Sequence, residues 1–281
     1  MEAIRIDLKD WVHSGEGANG ESFYHKSDPT VMMKLYFESA PYDVIVSELE
    51  FARKVYATGI PTPRPGELVT DGNGRYGIRF ERILGKKSFS RACGDDPSGV
   101  EEYARRFAKM CLQLHSTKVS RDEFPDIKEL DLKLLAENPY FEPEEREWVE
   151  NFIKNAPDGD TAIHGDLQYS NAIMSTKGDF FIDLGDFACG HPYFDLGMVL
   201  LCTRYDDEEF LRDVFHVTPQ IADNFWRYFV KGYFGEDADP DEIDDMLRPY
   251  AGLKVLIIER NAGMFFPQFH ALFKARETDH A

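Results

Sequence analysis

Residues 162–174 read A-I-H-G-D-L-Q-Y-S-N-A-I-M, and residues 180–186 read F-F-I-D-L-G-D. Apolar residues (Ile163, Ile173, Phe180, Phe181, Ile182) flank each polar group. The pattern predicts short buried strands that present His164, Asp166, Asn171 and Asp183 at loop ends. An ionised carboxylate beside an apolar strand is costly unless something neutralises it. A divalent cation is the natural partner. An amide oxygen with a carboxylate is a hard-oxygen set suited to Mg²⁺, which keeps several waters and takes its other ligands from phosphates. Asn171 lies five residues after Asp166, and Asp183 twelve after Asn171. That spacing lets Asp166 face a reacting atom while Asn171 faces the metal.

Upstream, the first eighty residues predict strands and turns. Gly15, Gly17 and Gly20 separate a segment near Ile4–Trp11 from one near Glu21–Lys26, and Val31–Phe37 is apolar around a single lysine, Lys34. Between Asp43 and Thr58 the residues Val44, Ile45, Leu49, Ala52, Val55 and Tyr56 gather on one side at helical spacing. Gly59 and then Pro61, Pro63 and Pro65 are the usual stop signals. The tip Asp71-Gly72-Asn73-Gly74 between two apolar runs predicts a hairpin. After Gly85 the periodicity becomes helical: Val100–Ser116 has Tyr103, Phe107, Met110, Cys111 and Leu114 on one face. Leu130–Glu137, Glu142–Asn155, Leu196–Thr203, Thr218–Phe234 and Asp241–Lys274 also read as mostly helical. The expectation is an α+β chain with a β-rich domain over residues 1–84 and a helix-rich domain over residues 85–281.

The chain has 281 residues, with 32 Lys+Arg against 51 Asp+Glu and a net charge of −19. A nucleic-acid or anionic-membrane partner needs a basic footprint, so neither is expected. Cys93, Cys111, Cys189 and Cys202 are widely spaced and fit neither a zinc site nor a disulfide framework. The N-terminus lacks a basic segment followed by an apolar one, and no apolar run approaches the length of a membrane span. A cytoplasmic protein is expected. The sequence carries no signal for oligomeric state.

H-G-D-L-Q-Y-S-N followed by I-D-L-G-D resembles the aminoglycoside phosphotransferase/choline kinase superfamily, small-molecule relatives of the protein kinases. The resemblance extends over most of the chain. Gly15-Glu-Gly-Ala-Asn-Gly20 matches the G-x-G-x-x-G of a phosphate-covering loop, and Lys34 sits where the third-strand lysine belongs. Glu48 matches the helix glutamate that holds that lysine, with Glu50 as the alternative. Glu81-Arg82-Ile83 falls at the interlobe hinge. The resemblance implies a bilobal protein-kinase-like fold, with a small lobe of five antiparallel strands and one helix and a larger, mainly helical lobe.

It also implies roles. Asp166 would be the catalytic base, and Asn171 and Asp183 would hold Mg²⁺. Lys34, paired with Glu48, would bind the phosphates of ATP beneath Gly15, Gly17, Asn19 and Gly20. The backbone of Glu81 and Ile83 would receive adenine. His164 would be a scaffold residue of the catalytic loop, Asp195 a structural aspartate that follows the metal loop, and His115 a structural histidine at a helix end. Asp186 would lie near the acceptor. The implied activity is transfer of the γ-phosphate to a hydroxyl of an aminoglycoside, choline-like amine, sugar or amino-acid alcohol. The alternative is a catalytically silent nucleotide-binding regulator of the same fold. The chain lacks an A-P-E motif after I-D-L-G-D, which argues against a protein substrate.

The ordinary readings stand beside these. A lone lysine in an apolar strand is commonly a snorkelling edge residue, and a lone G-x-G-x-x-G is a weak signal. Glu236–Asp245 carries seven acids in ten positions. It reads as a solvated surface, with attraction of a cationic acceptor as the sharper alternative.

Overall fold

The computed structural model describes residues 1–17 and 19–274, so Ala18 of the glycine loop lies outside the described residues. The chain forms two compact units: residues 1–87 with 173–185, and residues 88–172 with 186–281.

The first unit carries β1 (Ile4–Arg5), β2 (Trp11–Gly17), β3 (Gly20–His25), β4 (Val31–Tyr36), α1 (Tyr42–Ala57), β5 (Pro65–Thr70) and β6 (Tyr76–Glu81). The strands form one sheet in the order β1-β5-β6-β4-β3-β2. Five strands are antiparallel neighbours, as expected from sequence; β1 is a sixth, parallel to β5 through Ile4↔Val69 and Arg5↔Thr70. The single segment expected over Ile4–Trp11 is broken because the Asp7 carboxylate accepts from Lys9 N at 3.1 Å and caps a short 3₁₀ turn.

Strand alternation sorts the side chains of β4. Met33 and Leu35 are fully buried and join Ile6, Trp11, Phe23 and Val69 in one core. Tyr36 joins Leu68 and Ile78 on the opposite face, which packs on Ile45 and Leu49 of α1. Lys34, two residues from Tyr36, shares the α1 side. Gly20 is required by packing: a Cβ there would meet the Leu35 carbonyl oxygen at 2.4 Å.

At the junction, β7 (Lys87–Ser88) leads into the second unit with α2 (Phe89–Asp95), α3 (Val100–Ser116), α4 (Ile127–Glu137), α5 (Pro143–Asn155) and β8 (Thr161–Ile163). The hairpin β9 (Ala172–Ser175) and β10 (Gly178–Phe181) follows. The expected boundary at 84/85 placed this hairpin with the helical domain; instead residues 173–185 belong to the first unit. Phe181 N donates to Pro61 O at 2.8 Å, and Lys177 pairs with Glu81 at 3.1 Å. A cut along the sequence cannot represent a segment that crosses and returns.

The second unit continues with β11 (Ala188–Gly190), α6 (Tyr193–Leu200), α7 (Glu208–Phe210), α8 (Pro219–Phe234), α9 (Pro240–Leu253), α10 (Val255–Ala262) and α11 (Pro267–Lys274). Phe107 of α3 packs on Phe225 and Phe229 of α8, with ring centroids 5.8 and 5.6 Å apart. β8 and β11 pair antiparallel through Ile163↔Ala188, fixing the end of β8 from which the H-G-D loop departs. Among the described residues no helix is long and apolar enough to cross a membrane.

Candidate active site

The first unit encloses a cavity of about 310 Å³, within the range of small-molecule sites. Lys34, Glu48 and Asp183 line it together with apolar Met32, Phe80 and Ile83. Lys34 Nζ donates to Glu48 Oε1 at 3.0 Å and lies 4.5 Å from the centre of the Tyr36 ring. Glu50 is exposed, so the structure selects Glu48. The helical period explains this: Glu48, Ala52 and Val55 fall on one stripe of α1 that faces the cavity.

Asp183 also lines this cavity, and its φ of 61° is left-handed. Such a backbone costs a non-glycine residue about 1–3 kcal/mol and persists where surrounding structure dictates it. Glu81 and Ile83 line the cavity too. The backbone N–H of Glu81 already donates to Arg64 O at 2.9 Å, and that of Arg82 to Thr30 O at 2.7 Å. In the glycine loop, Gly15 and Gly17 belong to β2, Gly17 pairs with Gly20, and Asn19 O accepts from Phe37 N at 3.0 Å.

The second unit holds the H-G-D loop. Asp195, fully buried in the first turn of α6, is its anchor. Its Oδ2 accepts from His164 N at 2.7 Å, its Oδ1 from Gly165 N at 2.9 Å, and His115 Nε2 lies 3.1 Å from Oδ2. The other ring nitrogen of His115 bonds Tyr233 Oη at 2.7 Å. The scaffold residues expected separately are therefore one connected network.

The anchored loop aims Asp166, whose Oδ1 accepts from Gln168 Nε2 at 2.6 Å and whose Oδ2 accepts from Asn171 Nδ2 at 2.9 Å. Asn171 Nδ2 also donates to Asp166 O at 3.0 Å. With its amide nitrogen committed to Asp166, Asn171 offers its Oδ1 to a cation. Each unit thus presents one hard-oxygen donor of the kind a divalent ion takes, the Asp183 carboxylate in the first and the Asn171 amide oxygen in the second. Gln168 and Ser170, which donates to Gln168 Oε1 at 3.1 Å, were not singled out from sequence; they occupy variable-looking positions of H-G-D-x-x-x-x-N.

Gly165 has a φ of 86°, and a Cβ there would meet the Asp186 carbonyl oxygen at 2.1 Å. Asp186, expected near the acceptor, is thus packed against the H-G-D loop; its side chain lies 3.8 Å from Arg260. Gly165→Ala is expected to cost about 2 kcal/mol or more and to depress turnover, as thermal unfolding and a rate assay on the same preparation will show. His191 accepts from Tyr193 N through Nδ1 at 3.3 Å and packs on the Tyr193 ring, a loop-stabilising role. The acidic stretch is largely engaged: Glu236 by Arg105 at 2.6 Å, Asp241 by Arg204 at 3.4 Å, and Asp244 and Asp245 by Arg248.

The model of the phosphotransferase enzyme family matches residues 15–225. The chain belongs to this family. The match spans both the glycine loop and the H-G-D…I-D-L-G-D segment, so the phosphotransferase reading covers the residues assembled above. Among solved structures, the fold is similar to that of amicoumacin kinase hAmiN in complex with AMP-PNP, Ca²⁺ and Ami, with 14% identity over 97% of this chain and 88% of that one and a TM-score of 0.57. A thermostable mutant of aminoglycoside phosphotransferase APH(4)-Ia, in a ternary complex with ADP and hygromycin B, gives 11% identity, coverage of 97% and 95%, and a TM-score of 0.65. The aminoglycoside phosphotransferase APH(3'')-Id from Streptomyces rimosus, in complex with ADP and streptomycin, gives 19% identity, coverage of 89% and 98%, and a TM-score of 0.57. No curated protein matches the sequence. This phosphotransferase has the α+β, protein-kinase-like fold of these neighbours.

Proposed function

We propose that this phosphotransferase moves the γ-phosphate of ATP to a hydroxyl group of a small molecule, with Mg²⁺ as the metal. The observation that carries the reading is the one cavity that Lys34, Glu48 and Asp183 line together with apolar Met32, Phe80 and Ile83. The cavity suits a flat base, with Glu81 O and Ile83 N–H supplying the edge contacts. Lys34, oriented by Glu48, binds phosphate oxygens, and the backbone of Gly15, Gly17, Asn19 and Gly20 covers them. Asn171 and Asp183 hold the cation, which when bound neutralises phosphate charge.

Asp166 is the base. The acceptor oxygen forms a bond to the γ-phosphorus, and the bond from that phosphorus to the bridging oxygen breaks. The electron pair leaves with ADP, and the acceptor proton passes to the Asp166 carboxylate. Positioning and charge neutralisation are the main requirements of such a transfer. Gln168 and Asn171 supply the positioning by holding both carboxylate oxygens of Asp166.

Lys34→Met is expected to raise the dissociation constant for MgATP by about tenfold, one charge-assisted contact in a partly exposed site, with the fold intact. Calorimetric titration beside wild type measures this, and unchanged affinity would remove Lys34 from the phosphate site. A chain that binds MgATP yet shows no ADP release with any small-metabolite fraction would favour the silent-regulator alternative.

A further inference from the structure

The second unit contains its own cavity, of about 170 Å³, the space of about five or six water molecules. Gly165, next to Asp166 in the chain, forms part of its wall. Three acidic residues (Asp131, Glu137, Asp186) and three basic ones (Lys133, Lys254, Arg260) line it as well, so the formal charges of the lining cancel.

Two of these residues are buried, Asp131 at 8% exposure and Lys254 at 4%. Asp131 Oδ2 is shielded from solvent and has no hydrogen-bond partner among the described residues. Lys254 Nζ donates to Gly165 O at 3.3 Å, a long bond for a group with three donors. A buried carboxylate oxygen without a partner is costly. Burial pushes the Asp131 carboxyl up to about 6, with Lys254 pulling only partly against it. Apolar residues of similar volume would serve stability better at both positions.

We infer that Asp131 and Lys254 recognise the phosphate acceptor, and that this acceptor is a small hydroxy compound without net charge. It presents a hydrogen-bond donor to Asp131 and an oxygen to Lys254. The inference rests on the phosphotransferase reading above, in which the acceptor hydroxyl meets Asp166. A neutral polyol and a zwitterionic amino alcohol share this chemistry. A polycation does not: the lining is balanced, the volume is small, and arginines engage most of the acids of residues 236–245 that would draw it in.

The test melts the full chain with myo-inositol, L-homoserine or kanamycin at millimolar concentration, as wild type, Asp131→Asn and Lys254→Met. At least one of the two small compounds is expected to raise the wild-type Tm, and which one does so separates polyol from amino alcohol. Asp131→Asn is expected to lose that shift while melting higher than wild type without ligand, because its buried charge is gone. A purely structural Asp131 would give the opposite, a lower Tm. Asp131→Leu, which fills the same space, provides the measurement if the amide variant does not fold. Stabilisation by kanamycin alone, a shift that survives in Asp131→Asn, or no shift with either small compound would overturn the inference. The wild-type shift with MgATP is read in parallel. Its presence without a small-compound shift overturns only the acceptor assignment, and its absence overturns the phosphotransferase reading beneath it.

Discussion

Asp166→Asn is expected to lower acceptor-dependent ADP release by about 10²–10⁴-fold, the usual worth of general-base assistance, with MgATP binding retained. The amide has the shape of the carboxylate but cannot take the acceptor proton. It also places a nitrogen where one carboxylate oxygen had accepted from Gln168 or Asn171. If the amide oxygen stays on Gln168, two donors face each other at Asn171, and Asn171 loses part of its orientation. The loss is therefore expected at the upper end of the range. Rates with and without acceptor, beside calorimetric MgATP binding in the same preparations, separate the two effects. Near-normal turnover in the variant would remove Asp166 from the role of base.

The second large effect falls on the anchor of the same loop. Asp195→Ala is expected to destabilise the chain by about 3–5 kcal/mol, the cost of removing one partner from a buried charged network. It would strand the N–H groups of His164 and Gly165 and the ring of His115 inside the second unit. Burial works against the Asp195 carboxylate, but the His115 hydrogen bond, with the charges of His164 and Lys254, outweighs it and holds the pKa below the ordinary value. The sign follows. A depressed carboxyl contributes stability above its unfolded pKa of about 3.9 and loses it as pH falls through the lower folded value. Wild-type stability is expected to decline in that acid window, and Asp195→Asn to show a flatter decline. Denaturant unfolding across pH measures both. An alanine variant as stable as wild type would show that the loop is anchored elsewhere.

Local chemistry made the H-G-D…I-D-L-G-D segment legible, because polar residues set at fixed spacing among buried strands have few structural uses. The Lys34–Glu48 pair was legible from the place of Lys34 in an apolar strand ahead of the Glu48 helix, but the choice of Glu48 over Glu50 needed the structure, where Lys34 Nζ donates to Glu48 Oε1 and Glu50 is exposed. What the sequence could not convey depends on distance along the chain. The parallel pairing of β1 joins Ile4 to Val69, and the 173–185 hairpin bonds back to Pro61; neither leaves a local pattern. His115, Asp195 and His164 each looked like a separate scaffold residue, and only the fold reveals one network. Asp131 and Lys254 carried no motif, since an aspartate on one helix and a lysine between two others become notable only when both prove buried beside Gly165.

The most direct test of the account is ADP release by the wild-type chain in Mg²⁺ and ATP, with and without a small-metabolite extract, followed by phosphorus NMR of the products. The account predicts extract-stimulated ADP release with a new phosphomonoester signal. Failure of the chain to bind MgATP at all would contradict the assignment of Lys34, Asn171 and Asp183, and with it the proposed reaction.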